Sequence, residues 1–373
     1  MLQVLKLDPS RARDVRRFVR FPFNLYRGCA QWVPPLIADA KGQLDRNRHP
    51  FYAHSEADFF LVEERGRTLG RIAAMHNRRY TQATGQKEAF FGFFDAVEDT
   101  AVSRALFDAA SSWARERGLT ALKGPRALIG ADAAGVLVKG FEHRPALNMP
   151  YNHAYYDRLV TDSGLVKDTD HLSGYFAGDH PVPERFFRIA DKVMARKGFW
   201  IKEFEDKDEM RAWIPRVREI YQQSFEENHS FYPPTEAEME TLANTIIAVT
   251  RPGMIKLVLK GETLIGFAFT YPDISAGLQK AKGRLWPLGW WHLKRAHERT
   301  AWVNCNGIGV LPEYQGLGPS ILLYAEVVKT LKAMGYAHAD VAMVDEKNFT
   351  SFSAMEAMGV TWYKRHRSYW RDL

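Results

Sequence analysis

The sequence predicts an α/β protein with mixed sheets, in which one architecture is built twice along a single chain. Three observations predict it. At 373 residues the chain is longer than one hydrophobic core usually organises. Five successive stretches of the first half answer five of the second in the same order. Each half also sets an apolar strand directly before a turn and an amphipathic helix, the alternation from which α/β folds are made.

The elements follow in order. FFLVEERGRTLGRIAAMHN (59–77) has the rhythm of two strands around a turn at Arg65-Gly66, and IKLVLKGETLIGFAFTYPD (255–273) has the same rhythm around Lys260-Gly261. EAFFGFFDAV (88–97) answers TAWVNCNGIGV (300–310), each an aromatic or β-branched strand. TAVSRALFDAASSWARERG (100–118) and GPSILLYAEVVKTLKAMG (318–335) then show helical spacing and end on glycine, a C-cap signal. LTALKG (119–124) and AHADVAMV (337–344) are the next strands. YNHAYYDRLVTDSGL (151–165) and KNFTSFSAMEAMGV (347–360) each lead a short helix with an asparagine and stop it at glycine. Agreement in order, turn position and terminal glycine favours a tandem repeat over a chance likeness of two α+β domains. FAGDHPVPER (176–185), with two prolines and a glycine, reads as the linker, giving domains at 1–178 and 179–373.

Composition narrows the function. The chain is 46% hydrophobic and 25% charged, an ordinary globular balance. It has no apolar run of bilayer-spanning length, and its N-terminal segment is charged too early for a secretory signal, so the cytoplasm is the expected location. Cys29 and Cys305 are its two cysteines, which implies no disulfide framework. Metal-ligand spacings, HExxH, GxSxG and GxxxxGK[ST] are absent, so no metal is expected. A net charge of +7 suits nucleic acid or a polyanionic small molecule; the basic residues are spread along the chain, which disfavours nucleic acid.

The halves differ at the turn after the apolar strand. The second half is four residues longer there, at LPEYQGLGPS, where the first has VEDTAVS. Gly316 and Gly318 let backbone come close to a ligand, and a helix N-terminus offers N–H groups to phosphate. Glu98 and Asp99 in the first half would repel phosphate, so that copy is read as degenerate.

The string Gln315-Gly316-Leu317-Gly318-Pro319-Ser320, between strand and helix, resembles the Q/R-x-x-G-x-G/A signature of the GNAT acetyltransferases. Asn348, followed eleven residues later by Gly359, matches a second element of that family. The resemblance covers about 199–373 and, in degraded form, the first half. RFPFNLYRGCAQWVPPL (20–36) and SFEENHSFYPPTEAEM narrow it to bacterial two-domain GNAT-like proteins of unassigned substrate. It implies tandem GNAT-like folds, acetyl-CoA or another acyl-CoA as co-substrate, and acyl transfer to an amine of a small molecule or peptide. It further implies that Ile308, Gly309 and Val310 pair with the pantetheine arm, the Val310 N–H acting as oxyanion donor. Gln315 to Ser320 would then surround the pyrophosphate, with Asn348 and Ser351 adding contacts. Pro319 removes one N–H, and Ser320 replaces the usual glycine or alanine.

Other positions depart from the family. Met355 stands where a tyrosine is common, leaving Tyr363 or Tyr369 as substitute proton donor. Asn304 and Asn306 lie where a base belongs, but amides take no proton. The loop within 220–240 would cover the acceptor through Glu226, Asn228, His229 and Phe231, with His229 as candidate base. A tryptophan-rich insertion at 273–299, absent from the first copy, has three readings: an interdomain plug, a lid that brings Trp286 to the substrate, or a membrane-surface patch through 280–299. Two competing functions remain: a non-catalytic acyl-CoA-binding protein, consistent with Met355, and a nucleic-acid-associated protein.

Overall fold

Gln3–Lys6 (β1) pairs antiparallel with Glu56–Glu64 (β2), in which the consecutive residues Ala57 to Val62 are buried, so both faces of the strand are covered there. Between them run Ala12–Leu25 (α1) and Ile37–Gly42 (α2). β2 turns through Arg65 and Gly66, at φ 50° and 76°, into Arg67–His76 (β3). Arg78–Thr84 (α3) leads to Glu88–Ala96 (β4), antiparallel to β3, and Thr100–Arg115 (α4) crosses to Ala121–Gly124 (β5), parallel to β4. Val136–Lys139 (β6), Tyr156–Asp162 (α5) and Val166–Ala177 (β7) follow. Phe91, Leu106, Phe107, Trp113 and Tyr156 are central to this core.

The computed structural model describes residues 1–129, 134–226 and 231–373, and divides the chain into two compact units. The first is 1–172 together with 275–294 and 364–373. The division thus falls at 172/173 rather than 178/179, and two later segments return to the first unit. Ion pairing explains one return. Asp170 accepts two hydrogen bonds from Arg367, at 2.8 and 3.1 Å, and lies 3.2 Å from Lys167, which ties the end of Thr361–Asp372 (β13) to β7; that strand also pairs antiparallel with β5 and β6. Packing explains the other. Ser275–Ala281 (α10) buries Leu278, and the left-handed Gly283 sits where a Cβ would lie 2.6 Å from Phe23 and 3.0 Å from Ile37. Gly289–Arg299 (α11) follows it.

The second unit begins within β7. The segment read as a linker is folded into this unit: the Gly178 N–H donates to Ala337 O at 2.8 Å, and Val182 joins the core. Glu184–Lys197 (α6), Phe199–Lys202 (β8), Lys207–Ala212 (α7), Ile214–Phe225 (α8) and Glu236–Val249 (α9) precede the sheet's long strands. A capping box on Thr235 and Glu238 starts α9. Ile255–Lys260 (β9) and Thr263–Pro272 (β10) form the second hairpin, and Trp302–Val310 (β11) pairs antiparallel with β10. Pro319–Ala333 (α12) crosses to His338–Asp345 (β12), parallel to β11, and Phe349–Ala357 (α13) precedes β13. The strand order is β8-β9-β10-β11-β12-β7. Leu257, Ile265, Phe267, Val303, Leu322 and Leu323 anchor its core.

Candidate active site

The second unit's parallel pair opens partway along. β11 and β12 run together from Trp302–His338 to Cys305–Val341, and beyond that β11 keeps β10 as its ladder partner among the described residues. Two irregularities accompany the parting. Gly307 is left-handed at φ 92° where the β10 register shifts, and Met343 in β12 sits at φ 47°. The Leu311 N–H donates to Ile265 O on the β9–β10 hairpin at 3.0 Å. Backbone direction alternates along a strand, so the Val310 N–H and C=O face the side that β12 has left. Gln315 Nε2 donates to the Val310 carbonyl at 3.2 Å, which leaves the N–H facing the opening.

The glycine turn comes next. Pro312–Tyr314 make one 3-10 turn, Gly316 is left-handed at φ 74° with open space where a Cβ would stand, and Gly318 is the N-cap of α12 at φ 107°. Gly318 has a second reason to be glycine: its Cβ would lie 2.5 Å from the Val193 side chain on α6. The first bond of the helix is Leu322 N–H to Gly318 O, 3.2 Å, so the N–H groups of Ser320 and Ile321 have no intrahelical acceptor and Pro319 has no N–H to offer. Two donors, the small Ser320 hydroxyl and the open face of Gly316 form an anion-binding geometry with the helix dipole behind it.

Beside this opening lies a polar stripe on one face of the sheet. Tyr271, Asn304 and Asp340 are register neighbours on three adjacent strands, so their side chains share a face. Asn304 is 1% exposed, and its side-chain oxygen and nitrogen have no hydrogen-bond partner among the described residues. Leaving such an amide buried is costly unless something else satisfies it. Asp340 is 3% exposed and accepts from Tyr363 Oη at 2.7 Å. Asn306 Nδ2 donates to Tyr271 Oη at 3.3 Å, and burial pushes the Tyr271 phenol up to about 12. Tyr175 Oη and His338 Nδ1, 2.8 Å apart, continue the stripe.

Several sequence-based assignments change here. Burial, then the charge and hydrogen bond of Asp340, raise the Tyr363 phenol far above its usual range, so its proton stays on the phenol oxygen, directed at the carboxylate, and is poorly suited to a departing thiolate. Tyr369 belongs to the first unit and donates to Asp157. Met355 is buried in the core. Asn348 Oδ1 caps α13 by accepting the Ser351 N–H at 3.1 Å, so both serve the helix start. Gly309 makes room for an aromatic ring, since its Cβ would lie 2.4 Å from Phe267; Ile308 is half-buried beside it. Leu317 is exposed and its N–H is used by Tyr314 O. Glu226 is exposed at the end of α8, and Asn228 and His229 lie outside the described residues. Phe231 stands 6.2 Å from Tyr221, in an aromatic wall completed by Phe225, Phe267 and Phe269 beside Gly307 and Gly309. Trp286 belongs to the first unit and is 78% exposed. Asp340 had no signal in the sequence: an acid in an apolar strand shows its neighbours only when the strands are paired.

Comparison with known proteins follows this geometry. A tandem GNAT protein from the clavulanic acid biosynthesis pathway superposes with a TM-score of 0.59 at 13% identity, over 100% of this chain and 98% of that one. The fold is that of a tandem GNAT protein. A GCN5-related N-acetyltransferase from Sphaerobacter thermophilus gives a TM-score of 0.53 at 12% identity, over 100% and 95% of the two chains. Two curated relatives match along nearly the whole chain. Protein YghO of Escherichia coli (strain K12) is 28% identical over 371 residues, 96% of this chain and 93% of its own. A bacterial ceramide synthase of Caulobacter vibrioides (strain NA1000 / CB15N) is 28% identical over 373 residues, 96% and 95%. No family model matches the chain.

Proposed function

We propose that this protein is an acyl-CoA-dependent N-acyltransferase that works through its second unit, residues 173–274 and 295–363, in the cytoplasm. The observation that carries the reading is the opened end of β11, where the Val310 N–H faces the gap just before an uncapped helix N-terminus. The co-substrate supplies a thioester, an acyl group already activated for attack. The Ser320 and Ile321 N–H groups and the space over Gly316 would hold its pyrophosphate, and the Val310 N–H would donate to the acyl oxygen as negative charge grows there.

Asn304 and Asp340 would receive the acceptor. An ammonium is not a nucleophile, so a proton must leave before the nitrogen attacks; Asp340 is the buried carboxylate on the stripe that would take it. Tyr363 is then a positioning residue, since its hydrogen bond fixes that carboxylate. In the overall exchange a C–N bond forms, the C–S bond breaks, and the amine proton ends on the released thiol. The likeness to a ceramide synthase and the aromatic wall of Tyr221, Phe225 and Phe267 both support a long apolar chain on the substrates in place of a bare acetyl group.

The test is amide formation, followed by mass spectrometry, from a series of acyl-CoAs and long-chain primary amines. Wild type is expected to form amide, and Asp340→Asn to lose it while binding coenzyme A unchanged in calorimetry. Turnover that survives Asp340→Asn would return the proton to His229. Coenzyme A binding without amide from any amine would favour a non-catalytic acyl-CoA-binding protein.

A further inference from the structure

We infer that residues 284–294 dock this protein onto the surface of an anionic phospholipid bilayer. The segment reads RLWPLGWWHLK, and its large apolar side chains face solvent: Trp286 is 78% exposed, Leu288 61% and Trp290 48%, with Leu285 and Trp291 exposed beside them. A contiguous apolar patch of this kind on a folded surface marks an interaction site.

Its exposure is held in place by the fold. Gln279 Nε2 donates to Ala30 O at 2.8 Å and Trp32 O at 3.1 Å, and the Ile37 N–H donates to Gly283 O at 2.9 Å, so the base of the segment is fixed to the first unit. The Trp290 N–H then donates to Leu285 O at 2.9 Å and closes the tip. Glycine is required at that closure, since a Cβ on Gly289 would lie 1.8 Å from Arg284 O. The chain therefore presents the tryptophans on a closed turn.

Charge identifies the occupant. Lys280, Lys282, Arg284 and Lys294 are exposed around the patch, and no acidic residue stands between Asp273 and Glu298. On α11, Trp290, Trp291 and Lys294 fall on one side by three- and four-residue spacing. Tryptophan rings sit at headgroup depth in a bilayer, and lysine and arginine are drawn to anionic headgroups. A second copy of the chain is a poorer fit, because pairing through this patch would set like charges against each other. The inference is independent of the proposed reaction, since it concerns the first unit's surface and its test needs no turnover.

The experiment is co-sedimentation of the full chain with vesicles of phosphatidylcholine and phosphatidylglycerol, over a salt series. Wild type is expected to bind at low salt and release as salt rises. Trp286→Ala and Trp290→Ala should each weaken binding about tenfold at unchanged melting temperature. Lys282→Gln and Arg284→Gln should each cost about fivefold on anionic vesicles and nothing on pure phosphatidylcholine. Wild type left in the supernatant, or tryptophan variants that bind as well as wild type, would overturn the inference. So would a concentration-dependent doubling of mass in light scattering that the tryptophan variants abolish, which would make the patch a contact between copies.

Discussion

The junctions β4–α4 and β11–α12 are built on one plan and end in opposite states. In both, the parallel pair parts after a few residues, at Phe90–Lys123 and at Cys305–Val341, and in both the strand carries a left-handed residue near the parting, Phe93 or Gly307. The first opening is filled by the chain itself. Tyr156 Oη accepts the Ala96 N–H at 3.2 Å, Tyr155 Oη donates to Ala96 O at 2.8 Å, and Asp99 caps α4 by accepting the Ala101 N–H at 2.8 Å. Tyr26 and Tyr156 close over Asp95, itself held by Arg71 at 2.7 Å. At the second opening Gln315 takes one carbonyl, the Val310 N–H faces the gap, and Gly318 brings no capping side chain. The first unit has the same opening and fills it with its own phenols and carboxylates.

The comparison can be broken most sharply at the stripe that the first copy lacks. One pair before the parting, the first unit has the buried apolar pair Ala89–Leu122 where the second has Asn304–Asp340. Asp340→Asn should lower kcat roughly 10²- to 10⁴-fold with the acyl-CoA KM nearly unchanged. Single-turnover kinetics separate that outcome from lost binding. Tyr363→Phe should cost less and shift the pH profile, as expected of a group that positions Asp340.

Next in size is the glycine turn. Gly318 is a poor place to test it, since any side chain there meets Val193. Gly316 has open space and a backbone angle that Asn and Asp tolerate. Gly316→Asp should weaken coenzyme A binding about a hundredfold by setting a carboxylate against phosphate, and the isosteric Gly316→Asn should weaken it far less. Equal affinities in calorimetry would detach the turn from the ligand.

Acid should distinguish the units next. His366, in the first unit, donates from Nε2 to Pro150 O and is buried, and burial pushes its imidazole down to about 4 from 6.5. The folded form binds fewer protons than the unfolded one in that window, so stability is full above pH 6.5 and falls as pH drops toward 4, by about 3 kcal/mol. Thermal melts across that range should show this slope, and His366→Gln should flatten it.

The smallest effect tests whether the filled opening of the first unit excludes a ligand. Asp99→Ala removes a cap and should lower stability by about 1 kcal/mol. With the tyrosines still in place, calorimetry should find one coenzyme A per chain for wild type and variant alike; a stoichiometry of two would end the contrast between the copies.

By itself the sequence determined what is local. Hairpin turns at Arg65-Gly66 and Lys260-Gly261, helices ending in glycine, and the strand–turn–helix order around Gly316 and Gly318 depend on residues a few positions apart, so their pattern specifies them and their repetition. The tertiary structure decided what depends on partners distant in the chain. Tyr155 and Tyr156 fill an opening formed 60 residues earlier, at Ala96. Arg367 reaches back to Asp170, and Gly283 to Phe23, which assigned the last strand and the insertion to the first unit. Asp340 became a candidate base only when pairing set it beside Asn304 and within reach of Tyr363. Burial and electrostatic coupling arise from sums over neighbours in space, and strand pairing chooses those neighbours with little regard to their separation along the chain.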